Sequence, residues 1–255
     1  MLFIFNKILP YLSGVLVGIT FEIWSIRPEL TYYIGPVLAL IIISSIWMLT
    51  GRRIFRKTFW NFLSTPLLHI VSSFVFFLLI DNLVIRQLFI IGTAILVALT
   101  LYNIFSFLHQ TERYQPYALE NIYSYVNLIS LYLFYVSFYG ITILLGWPFW
   151  FFLPLIFFLT SFLFMRTLWS FKIPWQKSKL FIAIIGLVLV EASYIIYSLP
   201  TSYVFNALLL IVIYYVMMNI IKDHLKGIIS TANVKKYILI SLVVVTTAVA
   251  TTKWT

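Results

Sequence analysis

Apolar runs of membrane length, separated by short polar or basic punctuation, occupy almost the entire chain. A hydrocarbon core about 30 Å thick requires about 20 predominantly apolar residues per helix. Nine runs meet that requirement: residues 8–26, 32–50, 62–81, 88–108, 116–146, 148–168, 180–198, 201–221 and 237–253. The last is the shortest and the richest in Thr and Val. Short connections make consecutive helices antiparallel neighbours. The pattern therefore predicts an all-α, polytopic membrane helix bundle of about nine transmembrane helices, forming a single transmembrane domain over residues 1–255. No small-x-small cleavage site separates the first run from "FEIWSIRPEL", so that run is expected to be a retained helix and not a signal peptide.

The basic residues sort by side. With the N-terminus inside, the inner loops collect Lys7, Arg52, Arg53, Arg56, Lys57, Arg113, Arg166, Lys172, Lys177, Lys179, Lys222, Lys226, Lys235 and Lys236. Only Arg27, Arg86 and Lys253 fall outside. Because cytoplasmic loops carry the excess of Lys and Arg, this places the N-terminus inside and the C-terminus outside. Trp147, Pro148 and Trp150 mark an outer hairpin. Trp169, Pro174 and Trp175 mark an inner one, as interfacial indoles and helix-starting prolines should.

Composition narrows the class further. The chain is 63% hydrophobic and 9% charged, too few charges to cover a soluble domain. The net charge of +10 punctuates apolar runs and builds no groove, so nucleic acid is not an expected partner. Membrane lipids are, and the run Arg52, Arg53, Arg56, Lys57 suits anionic headgroups, each basic residue near the surface contributing about 1 kcal/mol. A membrane-protein partner is also compatible with the short loops. The cell membrane, of bacterial plasma-membrane type, is the expected location. Cysteine is absent, and no Walker loop, G-x-S-x-G, G-x-G-x-x-G or H-E-x-x-H motif appears. No cofactor or metal is therefore expected. His69, His109 and His224 all lie toward the inner side but lack ligand spacing, and His69 is expected to bond a Ser, Thr or Asn of another helix.

Acidic residues number seven, so each carries weight. Glu29, Asp81 and Asp223, at predicted helix ends, are expected to be solvated. Glu22 and Glu191 interrupt apolar runs, where an ionisable group marks a functional site or a structural pairing. Both lie shortly before an outer-end proline, Pro28 or Pro200, and would meet if their helices are neighbours. Structurally, Glu22 would bond locally or pair with Arg27 or Arg86, and Glu191 would be protonated.

The most polar segment, "HQTERYQPYALENIYSYVN", enters the fifth helix at Pro116, its predicted first residue. It supplies His109, Glu112, Arg113 and Glu120 to an inner mouth. Along that helix Asn121, Tyr125, Leu128, Tyr132, Tyr135 and Tyr139 recur at spacings of four and three, which is one face. Thr93, Thr100, Asn103 and Gln110 form a matching face on the fourth helix.

Glu22, Glu191, Asn103, Asn121, Tyr125, Tyr132 and Tyr135 are thus the candidate ligand-binding residues. They favour transport or the handling of a lipid or small solute through a polar site inside the bundle. The alternatives are a non-enzymatic scaffold or accessory subunit, and an intramembrane enzyme using His109, Glu112, Arg113 and Glu120 on a lipid-linked substrate.

Overall fold

In a computed structural model, which describes residues 2–51, 54, 57–110 and 114–251, the chain is all-helical, with no strand among those residues. Among the described residues nine α-helices follow one another: α1 (Leu2–Ile26), α2 (Thr31–Leu49), α3 (Lys57–Phe77), α4 (Leu83–His109), α5 (Ala118–Leu145), α6 (Phe152–Ser170), α7 (Trp175–Tyr197), α8 (Tyr203–Lys226) and α9 (Thr231–Thr251). Each contains a span long and apolar enough to cross a membrane. Single 3-10 turns at Pro28–Leu30 and Phe149–Phe151 precede α2 and α6. Arg52, Arg53, Arg56, Glu112, Arg113 and Lys253 lie outside the described residues.

The fifth helix begins later than its proline suggests. Pro116 precedes a turn in which Tyr117 adopts a left-handed φ of 65°, and α5 starts only at Ala118. That turn redirects the chain before the first helical hydrogen bonds close. The helix has 28 residues, about 42 Å at 1.5 Å per residue.

The chain forms two compact units, Met1–Ser130 and Leu131–Thr255, and the division falls within α5. In the first unit, α1 packs most closely on α4. Gly14 and Gly18, one turn apart, face Ala94 and Ala98. A Cβ on Gly14 would stand 2.7 Å from the Ala94 carbonyl oxygen and 2.8 Å from the Ala98 methyl. Small residues spaced by four let two membrane helices approach in this way. The Ser13 and Ser45 hydroxyls, 2.7 Å apart, join α1 to α2. Trp24 stacks on Phe74 with centroids 4.6 Å apart, and its indole N–H donates to Thr31 Oγ1.

Pro66 lies inside α3 and has no N–H to give the carbonyl four residues earlier. That carbonyl, Phe62 O, accepts instead from the Tyr123 phenol of α5 at 3.2 Å.

In the second unit, α6 and α7 meet where Gly186 leaves room for the Ser161 hydroxyl and the Phe157 ring, and Ser161 Oγ donates to Ile182 O at 3.3 Å. α7 packs on α8, and α8 on α9. Of the described residues of α9, only Ser241 is buried.

Candidate functional site

The entry to α5 is a closed hydrogen-bonded device. Tyr114 Oη accepts from the Leu119 N–H at 2.8 Å and donates to Glu120 Oε2 at 2.9 Å. One phenol thereby satisfies an orphan N–H of the first helical turn and holds the buried Glu120 carboxyl. Partial burial is the main reason the Tyr114 phenol is pushed up to about 12. The Leu119 N–H pulls the other way, and the neighbouring Glu120 carboxylate adds to the rise. Tyr114 had no place among the candidates, because its partners lie five and six residues on, across a left-handed turn that no periodicity encodes. His109 joins α4 to α2, its Nε2 lying 2.9 Å from Leu49 O near the C-terminal end of that helix. It lines a cleft of about 250 Å³ with Leu49, Thr50, Gly51, Thr58 and Phe59. Lys57, the first residue of α3, is exposed.

Further along α5, the predicted stripe twists from outside to inside. Asn121 and Tyr125 are exposed, Tyr132 is half-buried, and Tyr135 and Tyr139 are fully buried. Six positions at spacings of four and three do not keep one environment over such a length. The buried phenols are each bonded to protein: Tyr135 Oη to Thr160 Oγ1 at 2.6 Å, and Tyr139 Oη to Ser193 O at 2.9 Å. Tyr139 also stacks on Phe149, which stacks on Tyr197, with interplanar angles of 8° and 6°. Asn103 turns back to its own helix, Nδ2 donating to Leu99 O at 2.8 Å. Thr100 does likewise to Leu96 O.

The two carboxylates inside apolar runs differ in their surroundings. Glu22 accepts from the Gln87 amide of α4 at 2.9 and 3.2 Å, an exposed pair near the C-terminal end of α1 and the N-terminal end of α4. Arg86 is not its partner: that guanidinium donates to Ile80 O at 2.6 Å and covers the Phe77 ring. Glu191 is exposed on α7 and bonds no side chain among the described residues. It stands six residues before the end of its helix, about 9 Å along the axis.

Two further polar features lie on α3 and α8. His69 makes the interhelical bond its position suggests, Nδ1 lying 3.2 Å from Ser130 Oγ. Ser130 gives its only proton to Val126 O at 2.7 Å, so it accepts from His69, which fixes the proton on Nδ1. The bare Nε2, the Thr65 hydroxyl one turn before and the Ser73 hydroxyl one turn after are all buried without a hydrogen-bond partner among the described residues. They share one face of α3.

Asp223, expected to be solvated, is 3% exposed. It accepts from Tyr237 Oη at 2.7 Å and Asn233 Nδ2 at 3.3 Å, so α9 folds back over it. Among the described residues no three His, Cys, Asp or Glu side chains group as metal ligands.

Taken together, the geometry defines a helical chain with spans long and apolar enough for a multi-pass membrane protein, in which the buried phenols of Tyr135 and Tyr139 are bonded to protein, Asn121, Tyr125 and Glu191 are exposed, and a polar seam on α3 is buried. Comparison with protein-family models, with curated proteins and with solved structures found no match.

Proposed function

We propose that the protein is a non-enzymatic subunit of a membrane complex, a scaffold or accessory chain with its N-terminus inside and its C-terminus outside the cell membrane. The observation that carries this reading is Glu191, an exposed carboxyl within an apolar helix that has no side-chain partner among the described residues. A charged side chain at the centre of a membrane helix costs roughly 3 kcal/mol on insertion scales. Nearer the helix end the cost is smaller, yet lipid returns nothing for it, whereas a polar partner does. The exposed α9 offers a second outward surface, and the bonded phenols of α5 serve packing. The charge of Arg52, Arg53, Arg56 and Lys57 supports contact with anionic headgroups on the inner leaflet. Extraction in a mild detergent from the native membrane tests the reading. The chain should migrate in an assembly larger than itself; a stable, monodisperse monomer would overturn it.

A second reading, transport or handling of a small polar solute, has one specific observation in its favour. His69 Nε2, Thr65 Oγ1 and Ser73 Oγ form a buried polar seam that a small neutral N–H or O–H donor would satisfy. Proteoliposomes swollen in glycerol or urea gradients test it. Permeation above that of empty vesicles, lost in His69→Leu and kept in Tyr139→Phe, supports this reading; no permeation above empty vesicles removes it.

A further inference from the structure

We infer that the outward face of α7 seats a transmembrane helix of a partner protein that carries a lysine or arginine level with Glu191, an assignment that rests on the subunit reading above. Leu180, Ile184, Leu187, Glu191 and Tyr194 are all exposed. Their spacings of four, three, four and three are those of a heptad seam, the register in which two helices interlock. The opposite side of α7, with Ile182, Ile185, Leu189, Ser193 and Ile196, is buried, and α7 packs on α6 and α8. The exposed seam therefore belongs to the side of α7 that its own neighbours do not use.

Charge decides what fits there. An apolar helix would cover the four apolar side chains and enclose the carboxylate unpaired, which the low dielectric makes unfavourable. A helix with one basic residue at that level covers the same side chains and forms a charge-assisted hydrogen bond with Glu191. A second copy of this chain fits less well. Twofold pairing through α7 sets Glu191 against Glu191, and the basic residues of α7, Lys177 and Lys179, stand 14 and 12 residues away, about 21 and 18 Å along the axis. Glu22 is not an equivalent seat, because the Gln87 amide already holds both of its oxygens.

The test uses the full chain in lipid nanodiscs with a donor fluorophore, and two synthetic 23-residue leucine-based helices bearing an acceptor. One has a lysine six residues from the end that aligns with the C-terminal end of α7; the other has leucine there. Energy transfer should show the lysine helix associating at least tenfold more tightly. Glu191→Leu should abolish the difference, Glu191→Gln should leave a smaller one, and Glu22→Leu should leave it whole. Equal association of the two helices, or a preference that survives Glu191→Leu, overturns the assignment. Transfer between two copies of the chain that disappears in Glu191→Leu also overturns it, in favour of a self-paired α7. A native assembly that ignores Glu191→Leu sinks this seat and leaves the subunit reading standing. Binding of the lysine helix by a chain that purifies as a lone monomer does the reverse.

Discussion

The tether between α8 and α9 is the feature whose removal should be easiest to measure. α9 buries only Ser241 among its described residues, so apolar packing contributes little to its position. The buried Asp223 carboxylate instead holds Tyr237 at 2.7 Å and Asn233 at 3.3 Å. A hydrogen bond to a charged acceptor contributes about 1.5–3 kcal/mol, and partial exposure of the pair places it at the lower end. At about 1.4 kcal/mol per factor of ten, Tyr237→Phe should raise the ratio of detached to docked α9 roughly tenfold. Spin labels at Val212 on α8 and Val244 on α9 would report this as a second, longer distance in the distribution. Asp223→Asn should act in the same direction. The double variant should add little to Asp223→Asn, because that change already weakens the Tyr237 bond. If neither single variant alters the distance distribution, α9 is held by something other than this tether and the reasoning fails.

Three further outcomes follow from the packing. Gly14→Ala should lower the melting temperature, because its new methyl meets the Ala94 carbonyl at 2.7 Å, whereas Gly18→Ala, at 3.4 Å from the nearest atom, should cost far less. Overpacking of this kind costs about 1–3 kcal/mol, so equal effects at the two sites would refute the close approach. Tyr123→Phe should cost about 1 kcal/mol by removing the phenol that donates to the Phe62 carbonyl, which Pro66 cannot reach with an N–H. Pro66→Ala should restore most of that loss in the double variant, measured by chemical unfolding in detergent. The Tyr114 phenol is raised from 10.0 to about 12 in the folded chain, so folding favours its protonated form. Its contribution is whole below the unfolded value and disappears as pH climbs through about 12. The stability gap between the parent protein and Tyr114→Phe should therefore hold steady up to about pH 10 and close above it. A gap that does not change with pH would count against the partial burial of Tyr114 and, with it, the contact with Glu120.

What the sequence disclosed depended on the length scale of the signal. Nine spans were legible because each is a run of apolar residues longer than any soluble helix requires, and such runs need no tertiary information. The pairing of α1 with α4 was less visible. Gly14 and Gly18 carry the small-residue spacing, but the partner Ala94 and Ala98 lie some eighty residues on, and nothing local joins them. Asp223 looked like a loop residue because it sits one turn from the end of α8. Its burial is produced by Tyr237 and Asn233, which follow an intervening turn. The tyrosines of α5 repeat at a helical spacing, but spacing reports a face and not what lies opposite. Tyr125 and Tyr135 therefore share a stripe and not an environment. His69 was readable as an interhelical donor, yet the identity of Ser130 as acceptor, and so the tautomer, came only from the hydrogen bond Ser130 gives to Val126.

The contact between Gly14 and Ala94 also sets an order of events during synthesis. Residues 14 and 18 are synthesised well before residues 94 and 98 exist. At about 5–20 residues per second, the interval from the end of α1 to Ala98 is roughly 4 to 14 seconds. For that time the narrow glycine face of α1 stays uncovered, and α2 and α3 must be inserted and turned before it closes. The glycine face of α1 is thus completed by α4. A chain cut short after α3 would leave that narrow face without the helix that fills it.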